Sequence, residues 1–211
     1  MADLTALRKA IIDGDLKGAV AATREALADS VDPLEMVTVH MVPAMDEVGR
    51  RFECEEYFVP ELLLSARAMK GSLELIRPLL VSQGAAPTGR VVIGTVKGDL
   101  HDIGKNLVAS MLEGGGFEVI DLGADVAPER FAQAAQERKA DIVCLSALLT
   151  VTMPSMKTTI ETLKSAGLRE RTKVLIGGAP VTQQYADEIG ADGYGANATA
   201  AVQLARKLVG R

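Results

Sequence analysis

The stretch RVVIGTVKGDLHDIGKN, residues 90–106, decides the fold class of the second part of the chain. Its first half, Val91–Val96, is a short run of mostly apolar and β-branched residues, which favours a strand buried on both faces. A loop follows, and Lys105–Glu113 then has the residue spacing of a helix. A buried strand that leads through a loop into a helix is the first unit of an α/β fold with a parallel sheet.

The rest of the chain repeats this alternation of strand and helix. Four more apolar runs predict strands at Phe117–Leu122, Ile142–Leu145, Val174–Ile176 and 192–194. Helices are predicted at Pro128–Arg138, Pro154–Ala166, Thr182–Ile189 and Ala198–Val209. We therefore expect an α/β domain over residues 90–211, with a flavodoxin-like, doubly wound sheet of five parallel strands. Ligands of such sheets bind at the carboxyl ends of the strands.

Residues 1–82 have helical periodicity instead. Leu4, Leu7 and Ile11 recur at the spacing of one helix face. Three further segments of this kind predict a four-helix bundle, with a kink expected at Pro43. The segment at 82–89 is small, polar and rich in Gly and Pro, which is typical of a linker. The sequence thus predicts two domains, at 1–82 and 90–211.

Composition excludes several classes of function. An aromatic fraction of 3% and a pI of 5.2 argue against a nucleic-acid partner. Two cysteines suit a reducing compartment rather than a disulfide scaffold. Two histidines, His40 and His101, cannot build a multi-histidine zinc site. The N-terminal residues have no signal-peptide pattern, and no run approaches ~18 apolar residues, so we expect a cytoplasmic protein without a membrane partner.

The loop at 94–106 matches neither common phosphate-binding motif. Its glycines, at 94, 98 and 104, fit neither the dinucleotide fingerprint nor the Walker A spacing. What remains is Asp99-x-His101-x-x-Gly104. A histidine can offer one ring nitrogen to a metal while a nearby aspartate accepts the hydrogen of the other. One histidine can serve as an axial ligand of a metal held by a macrocycle; the alternative is a solvated loop histidine that caps the next helix.

The Asp-x-His-x-x-Gly spacing resembles the cobalamin-binding motif of corrinoid proteins, in which a protein histidine replaces dimethylbenzimidazole on cobalt. Two further elements of that motif occur in order, Ser146-Ala147-Leu148 and Gly177-Gly178, each at a predicted strand end. Residues 48–70 resemble the helical cap domain that precedes the B12 domain in cobalamin-dependent methionine synthase and in methanol, methylamine and O-demethylase corrinoid proteins. The resemblance covers almost the whole chain.

The resemblance implies a set of contacts with cobalamin. His101 would be the metal ligand, Asp99 would hydrogen-bond its far nitrogen, and Thr152 would complete this relay. Ser146 would hydrogen-bond the displaced dimethylbenzimidazole. The other implied contacts are Phe58 over the methyl group and, around the corrin and its tail, Gly98, Leu100, Asp102, Ile103, Gly104, Leu148, Thr150, Gly177, Gly178, Ala179 and Ala198. Taken alone, the serine, threonines and glycines are equally typical of strand ends and turns.

The resemblance also implies a carrier function without a catalytic acid or base in this chain. Cob(I)alamin would take a methyl group from a donor bound to a substrate-specific methyltransferase. Methylcobalamin would pass it to an acceptor bound to a second methyltransferase, and a reductive activator would restore cobalt(I). The alternative is a cobalamin-dependent sensor or regulatory protein, against which the acidic chain and the lack of a DNA-binding segment argue. A B12 mutase subunit is a third possibility, but mutase B12 domains lack the helical half.

Overall fold

The computed structural model describes residues 4–210, which form two compact units. One unit covers residues up to 87 and takes in 113–116; the other covers 88–112 and the residues from 117 onward. The division after residue 87 falls inside the segment predicted as a linker. The domain limits expected from the sequence, 1–82 and 90–211, stay predictions.

Four helical segments make up the first unit, as the sequence predicts. They are α1 (Leu4–Ile12), α2 (Leu16–Ala28), a continuous segment made of α3 (Pro33–Glu35), a π-helix (Met36–Met41) and α4 (Val42–Glu53), and α5 (Val59–Ser82). Asp15 and Asp32 cap α2 and α3 by accepting backbone N–H groups in the first turns. None of the helices in residues 4–210 has both the length and the apolar character that a bilayer span requires.

Pro43 explains the π-helical turn. Proline has no N–H, and its ring would clash with the carbonyl of Val39, four residues earlier in a regular α-helix. In the π-helix the N–H of Val42 instead donates to the carbonyl of Val37, five residues back, which widens the backbone at this point. The helix continues through the proline by this change of hydrogen bonding, and the kink predicted from the sequence stays a prediction.

The second unit is an α/β layer structure with an all-parallel sheet. Its elements are β1 (Arg90–Thr95), α6 (Ile103–Gly114), β2 (Glu118–Asp121), α7 (Pro128–Arg138), β3 (Ile142–Ser146), α8 (Pro154–Ser165), β4 (Lys173–Gly177), α9 (Gln183–Ile189), β5 (Gly193–Tyr194) and α10 (Ala198–Leu208). The strand order β2-β1-β3-β4-β5 is the flavodoxin-like order. The predicted fold class is confirmed.

Packing on both faces explains why the strand segments read as continuous apolar runs. β1, β3 and β4 are buried almost throughout. On one face, Phe131, Met156 and Ile160 of α7 and α8 join a core cluster with Val92 and Val143 of the sheet. The order of β2, β1 and β3 in the sheet places the loops after these strands side by side at one edge of the sheet.

Candidate cofactor site

The candidate site lies at the carboxyl ends of β1, β2 and β3. Because the strands are parallel, the loops that follow them meet at one edge of the sheet. Val96, directly after β1, donates its N–H to the carbonyl of Ser146 at the end of β3 and forms a bridge with Val126 after β2. The Asp-x-His-x-x-Gly loop thus begins between two neighbouring strand ends.

Asp99 is fully buried at the centre of this site. Its Oδ1 accepts hydrogen bonds from the backbone N–H of His101 (3.0 Å) and from the ring Nδ1 of His101 (2.8 Å). Its Oδ2 accepts from the hydroxyl of Thr152 (2.7 Å) and from the N–H groups of Leu148 (2.8 Å) and Leu149 (3.2 Å). Burial alone raises the pKa of Asp99, but these hydrogen bonds outweigh it and hold the pKa well below its usual value.

The ionised Asp99 fixes the tautomer of His101. A carboxylate without a proton can only accept, so Nδ1 of the neutral imidazole must carry the hydrogen. The lone pair of the ring is then on Nε2, the nitrogen that can bind a metal. The side chain of His101 is 51% exposed, whereas that of Asp99 is 0% exposed. The pair therefore combines a buried anion with an accessible nitrogen ligand, and both hydrogen bonds predicted for Asp99 are present.

Thr95 also positions His101 and was missed by sequence reasoning. This threonine, the last residue of β1, is fully buried, and its hydroxyl donates to the backbone carbonyl of His101 (3.0 Å). Both backbone polar groups of His101 thus have hydrogen-bond partners, the N–H in Asp99 of the loop and the carbonyl in Thr95 of β1. The signal for this role in the sequence was a threonine directly after the apolar run Val91–Gly94.

The loop after β2 supports the ligand loop from its other side, which sequence reasoning also missed. Asp125 accepts the N–H of Gly98 through Oδ1 (2.7 Å) and donates its own N–H to the carbonyl of Asp99 (2.9 Å). Asp125 takes up the left-handed conformation, with φ of 54°, which is unusual outside glycine but tolerated by Asp and Asn. An aspartate in the segment Gly-Ala-Asp, away from the three motifs, gave no signal of this role.

An ion pair between a buried lysine and a partly exposed aspartate joins the first turn of α6 to the end of β2. The Nζ of Lys105 contacts Oδ2 of Asp121, the last residue of β2, and the Lys105 side chain is only 1% exposed. Oδ1 of Asp121 also accepts the N–H of Gly123. Lys105 directly follows Gly104 of the motif, so the pair connects the C-terminal end of the ligand loop to the end of β2.

Large apolar side chains around His101 are exposed. Leu100 is 75% exposed, Ile103 83% and Val151 81%, and Leu148 lies half-exposed after β3. Gly104 adds open space, because a Cβ built there would meet no atom within 4 Å. Apolar side chains grouped at one loop edge favour a ligand with a large apolar surface. A corrin ring, which is broad and largely apolar, fits this surface.

The available donor set fits a metal that brings its own macrocycle. Across residues 4–210, no group of three or more His, Cys, Asp or Glu side chains is arranged to hold a metal ion. The site offers the single free ring nitrogen of His101. One nitrogen cannot hold a bare transition metal, but it completes the coordination of a metal whose other ligands come from a corrin.

The backbone at position 178 requires glycine for a structural reason. It follows β4 with φ of 132°, and a Cβ there would lie 1.9 Å from the carbonyl oxygen of Ala147. The close approach of the ends of β3 and β4 therefore requires glycine at this position, whatever binds nearby. At Gly177 a Cβ would lie 3.2 Å from the carbonyl oxygen of Gly195. The role of both glycines in making room for a nucleotide tail stays a prediction.

The remaining residues predicted to contact cobalamin lie in several different elements and loops. Ser146 ends β3 half-buried and pairs with Thr95 and Gly177 in the neighbouring strands. The others in this unit are Asp102 before α6, Thr150 in the loop after β3, Ala179 after β4 and Ala198 at the start of α10. Phe58 belongs to the helical unit, where it is 63% exposed and its N–H donates to Glu61 at the start of α5.

Comparison with known proteins agrees with this geometry. Two family models, each described as a B12 binding domain, match residues 89–203 and residues 4–77. The chain belongs to the B12-binding corrinoid proteins. Among members of this family, it is 42% identical to a corrinoid protein of Desulfitobacterium hafniense, with 100% of this chain and 99% of the relative aligned. It is 46% identical to trimethylamine corrinoid protein 2 of Methanosarcina acetivorans, over 96% of this chain and 94% of that one.

Solved structures of corrinoid proteins have the same fold over both units. A cobalamin-binding protein from Desulfitobacterium hafniense superimposes with a TM-score of 0.81 at 33% identity, over 99% of each chain. A chain of the methanol:cobalamin methyltransferase complex from Methanosarcina barkeri gives 0.87 at 29% identity, over 98% of this chain and 79% of that one. The helical half is thus part of the family's fold, as the resemblance implied.

Asp125 provides a test of the loop support. We expect Asp125→Asn to unfold like the natural protein, because asparagine tolerates the left-handed conformation and keeps an acceptor oxygen. Asp125→Ala loses the acceptor and strains the backbone, and should lower the free energy of unfolding by about 1–3 kcal/mol. Asp125→Gly, which keeps the conformation but not the acceptor, should lie between them. Urea titration checks this order, and an alanine variant as stable as the natural protein would contradict it.

Proposed function

We propose that the protein is a corrinoid methyl carrier that binds cobalamin base-off, with Nε2 of His101 as the lower axial ligand of cobalt. The observation that carries this proposal is the pair formed by the buried, ionised Asp99 and the half-exposed His101. It leaves one nitrogen free beside an exposed apolar surface. Membership of the corrinoid family supports cobalamin as the ligand.

Residues of this chain position the proposed axial ligand, His101, and set how strongly its Nε2 donates to a metal. Asp99 keeps the hydrogen on Nδ1 and makes Nε2 a stronger donor, as carboxylates do for metal-bound histidines. Thr152 and the N–H groups after β3 keep Asp99 in place and ionised. When bound, the corrinoid supplies the chemistry, in which cob(I)alamin, a strong nucleophile, alternates with methylcobalamin.

Two groups of residues form the proposed cofactor contacts. Gly98, Leu100, Asp102, Ile103 and Gly104 lie in or beside the ligand loop and would contact the corrin. At the next strand ends, the residues proposed to hold the nucleotide tail are Ser146, Leu148, Thr150, Gly177, Gly178, Ala179 and Ala198. Phe58 is proposed to cover the methyl group, which rests on the resemblance and on its exposed position before α5.

The proposed partners follow from the carrier function. A substrate-specific methyltransferase would load the methyl group, and a second methyltransferase would remove it. A reductive activator would return oxidised cobalt to cobalt(I), and all of these proteins would meet in the cytoplasm. The relatives named as trimethylamine and dimethylamine corrinoid proteins support methylamines as one class of donor. No comparable observation favours the sensor alternative.

The two histidines allow a matched test of the axial ligand. In the His101→Ala variant loaded with cobalamin we expect the absorption spectrum of the His-ligated, base-off form to be lost, because no other ring nitrogen is available at the site. In His40→Ala the spectrum should be unchanged, because the axial ligand is proposed in the loop after β1 and His40 lies outside that loop, in the π-helix. A His101→Ala spectrum identical to that of the natural protein would contradict the proposal.

The carrier role is tested by following the methyl group itself. The loaded protein is reduced, treated with radiolabelled methyl iodide and freed of excess reagent. We expect the label to stay on the protein until a corrinoid:thiol methyltransferase of a methylamine system and its thiol acceptor are added, and then to move to the thiol. Label that no such methyltransferase removes would favour the sensor alternative.

A further inference from the structure

The first turn of α10 contains a buried hydroxyl without a hydrogen-bond partner. Thr199 is 6% exposed, and its Oγ1 contacts no donor or acceptor in the structure. It is the second residue of an eleven-residue helix that follows β5, at the same edge of the sheet as the ligand loop. A buried hydroxyl has lost its bonds to water, so one without a partner weakens the fold and needs an explanation.

The position of Thr199 in its helix explains why the fold does not satisfy it. Other buried helix threonines donate to the carbonyl four residues earlier: Thr23 to Ala19 (2.7 Å) and Thr159 to Ser155 (2.8 Å). For Thr199 the equivalent carbonyl belongs to Gly195, which precedes the helix. The chain is extended at Asn197, with φ of −151° and ψ of 177°, so the regular helical arrangement does not reach back to Gly195.

The surroundings of Thr199 suit a ligand with acceptor oxygens. Asn197 accepts the N–H of Ala200 (2.8 Å), and the N–H groups of Ala198 and Thr199 have no partner within the helix. These groups and the positive end of the helix favour an anionic oxygen. Thr199 adds a hydroxyl donor to the same turn.

Small residues keep this turn close to the proposed tail contacts. A Cβ on Gly195 would lie 3.0 Å from the Cβ of Ala201, so the end of β5 packs directly against α10. A Cβ on Gly177 would lie 3.2 Å from the carbonyl oxygen of Gly195. The first turn of α10 and the end of β4 are therefore neighbours, with no large side chain between them.

We propose that the Thr199 hydroxyl is a hydrogen-bond donor for the sugar–phosphate part of the nucleotide tail of cobalamin. This inference rests on the proposed function and adds to it a residue that recognises the tail. Among the residues that the structure describes, 4–210, this hydroxyl is buried without a partner. On binding it gains an oxygen of the tail, beside the helix N–H groups that favour the phosphate.

This role predicts effects of opposite sign on stability and on binding. Thr199→Val keeps the shape of the side chain and removes the unsatisfied hydroxyl. The ligand-free variant should therefore be at least as heat-stable as the natural protein. Its affinity for cobalamin should fall about three- to tenfold, the value of one lost hydrogen bond. If Thr199 had only a structural role, Thr199→Val would lower the heat stability of the ligand-free protein instead.

Cobinamide, which has the corrin but lacks the nucleotide, makes the test specific. Dissociation constants for cobalamin and cobinamide are measured for the natural protein, Thr199→Val, Thr199→Ser and Thr159→Val, together with the melting temperature of each ligand-free protein. We expect Thr199→Val to weaken only cobalamin binding and Thr199→Ser to restore it. The control Thr159→Val, which breaks a satisfied hydrogen bond, should lower the melting temperature and leave both affinities unchanged.

Three results would overturn the inference. In the first, Thr199→Val weakens the binding of cobalamin and cobinamide equally, or does not weaken cobalamin binding at all. Alternatively, its ligand-free form melts lower, as expected for Thr159→Val. If the natural protein binds neither corrinoid, the proposed function fails together with this inference, and that outcome is separate from the first two because it appears without any substitution.

Discussion

The buried carboxylate of Asp99 is the interaction on which the site depends. An ion removed from water is stable only where several donors replace its hydration, and Asp99 has donors from its own loop and from the loop after β3. Its backbone carbonyl is bonded in turn to the loop after β2. One residue thus joins three strand ends, and its side chain gives His101 its tautomer and its place.

The parallel sheet makes this convergence possible. Because β2, β1 and β3 are neighbours in that order, their carboxyl ends lie side by side. The short loops that follow them can therefore hydrogen-bond to one another. Gly178 shows how closely the next strand end approaches, since any side chain there would collide with Ala147. The same edge leaves apolar residues exposed beside the histidine, so the fold provides both the ligand nitrogen and a surface for a corrin.

Residue patterns predict much of the fold and of the candidate site. The other contacts depend on hydrogen bonds between loops that are distant in the sequence. The alternation of apolar runs and helices predicts the order of elements, and the spacing of Asp99, His101 and Gly104 predicts the hydrogen-bonded pair. The roles of Thr95 and Asp125 were missed, because a sequence does not show which donor of one short loop meets which acceptor of another. The π-helical hydrogen bonding before Pro43 was also missed, and the kink expected at this proline stays a prediction.

Electron paramagnetic resonance of the cobalt(II) form shows which nitrogen is the axial ligand of cobalt, and so tests the role proposed for His101. The protein is labelled with ¹⁵N-histidine and loaded with cobalamin of natural isotopic abundance. We expect the axial nitrogen to split each cobalt line into a doublet, because ¹⁵N of the protein is bound. A triplet, which reports ¹⁴N of dimethylbenzimidazole still on cobalt, would contradict it.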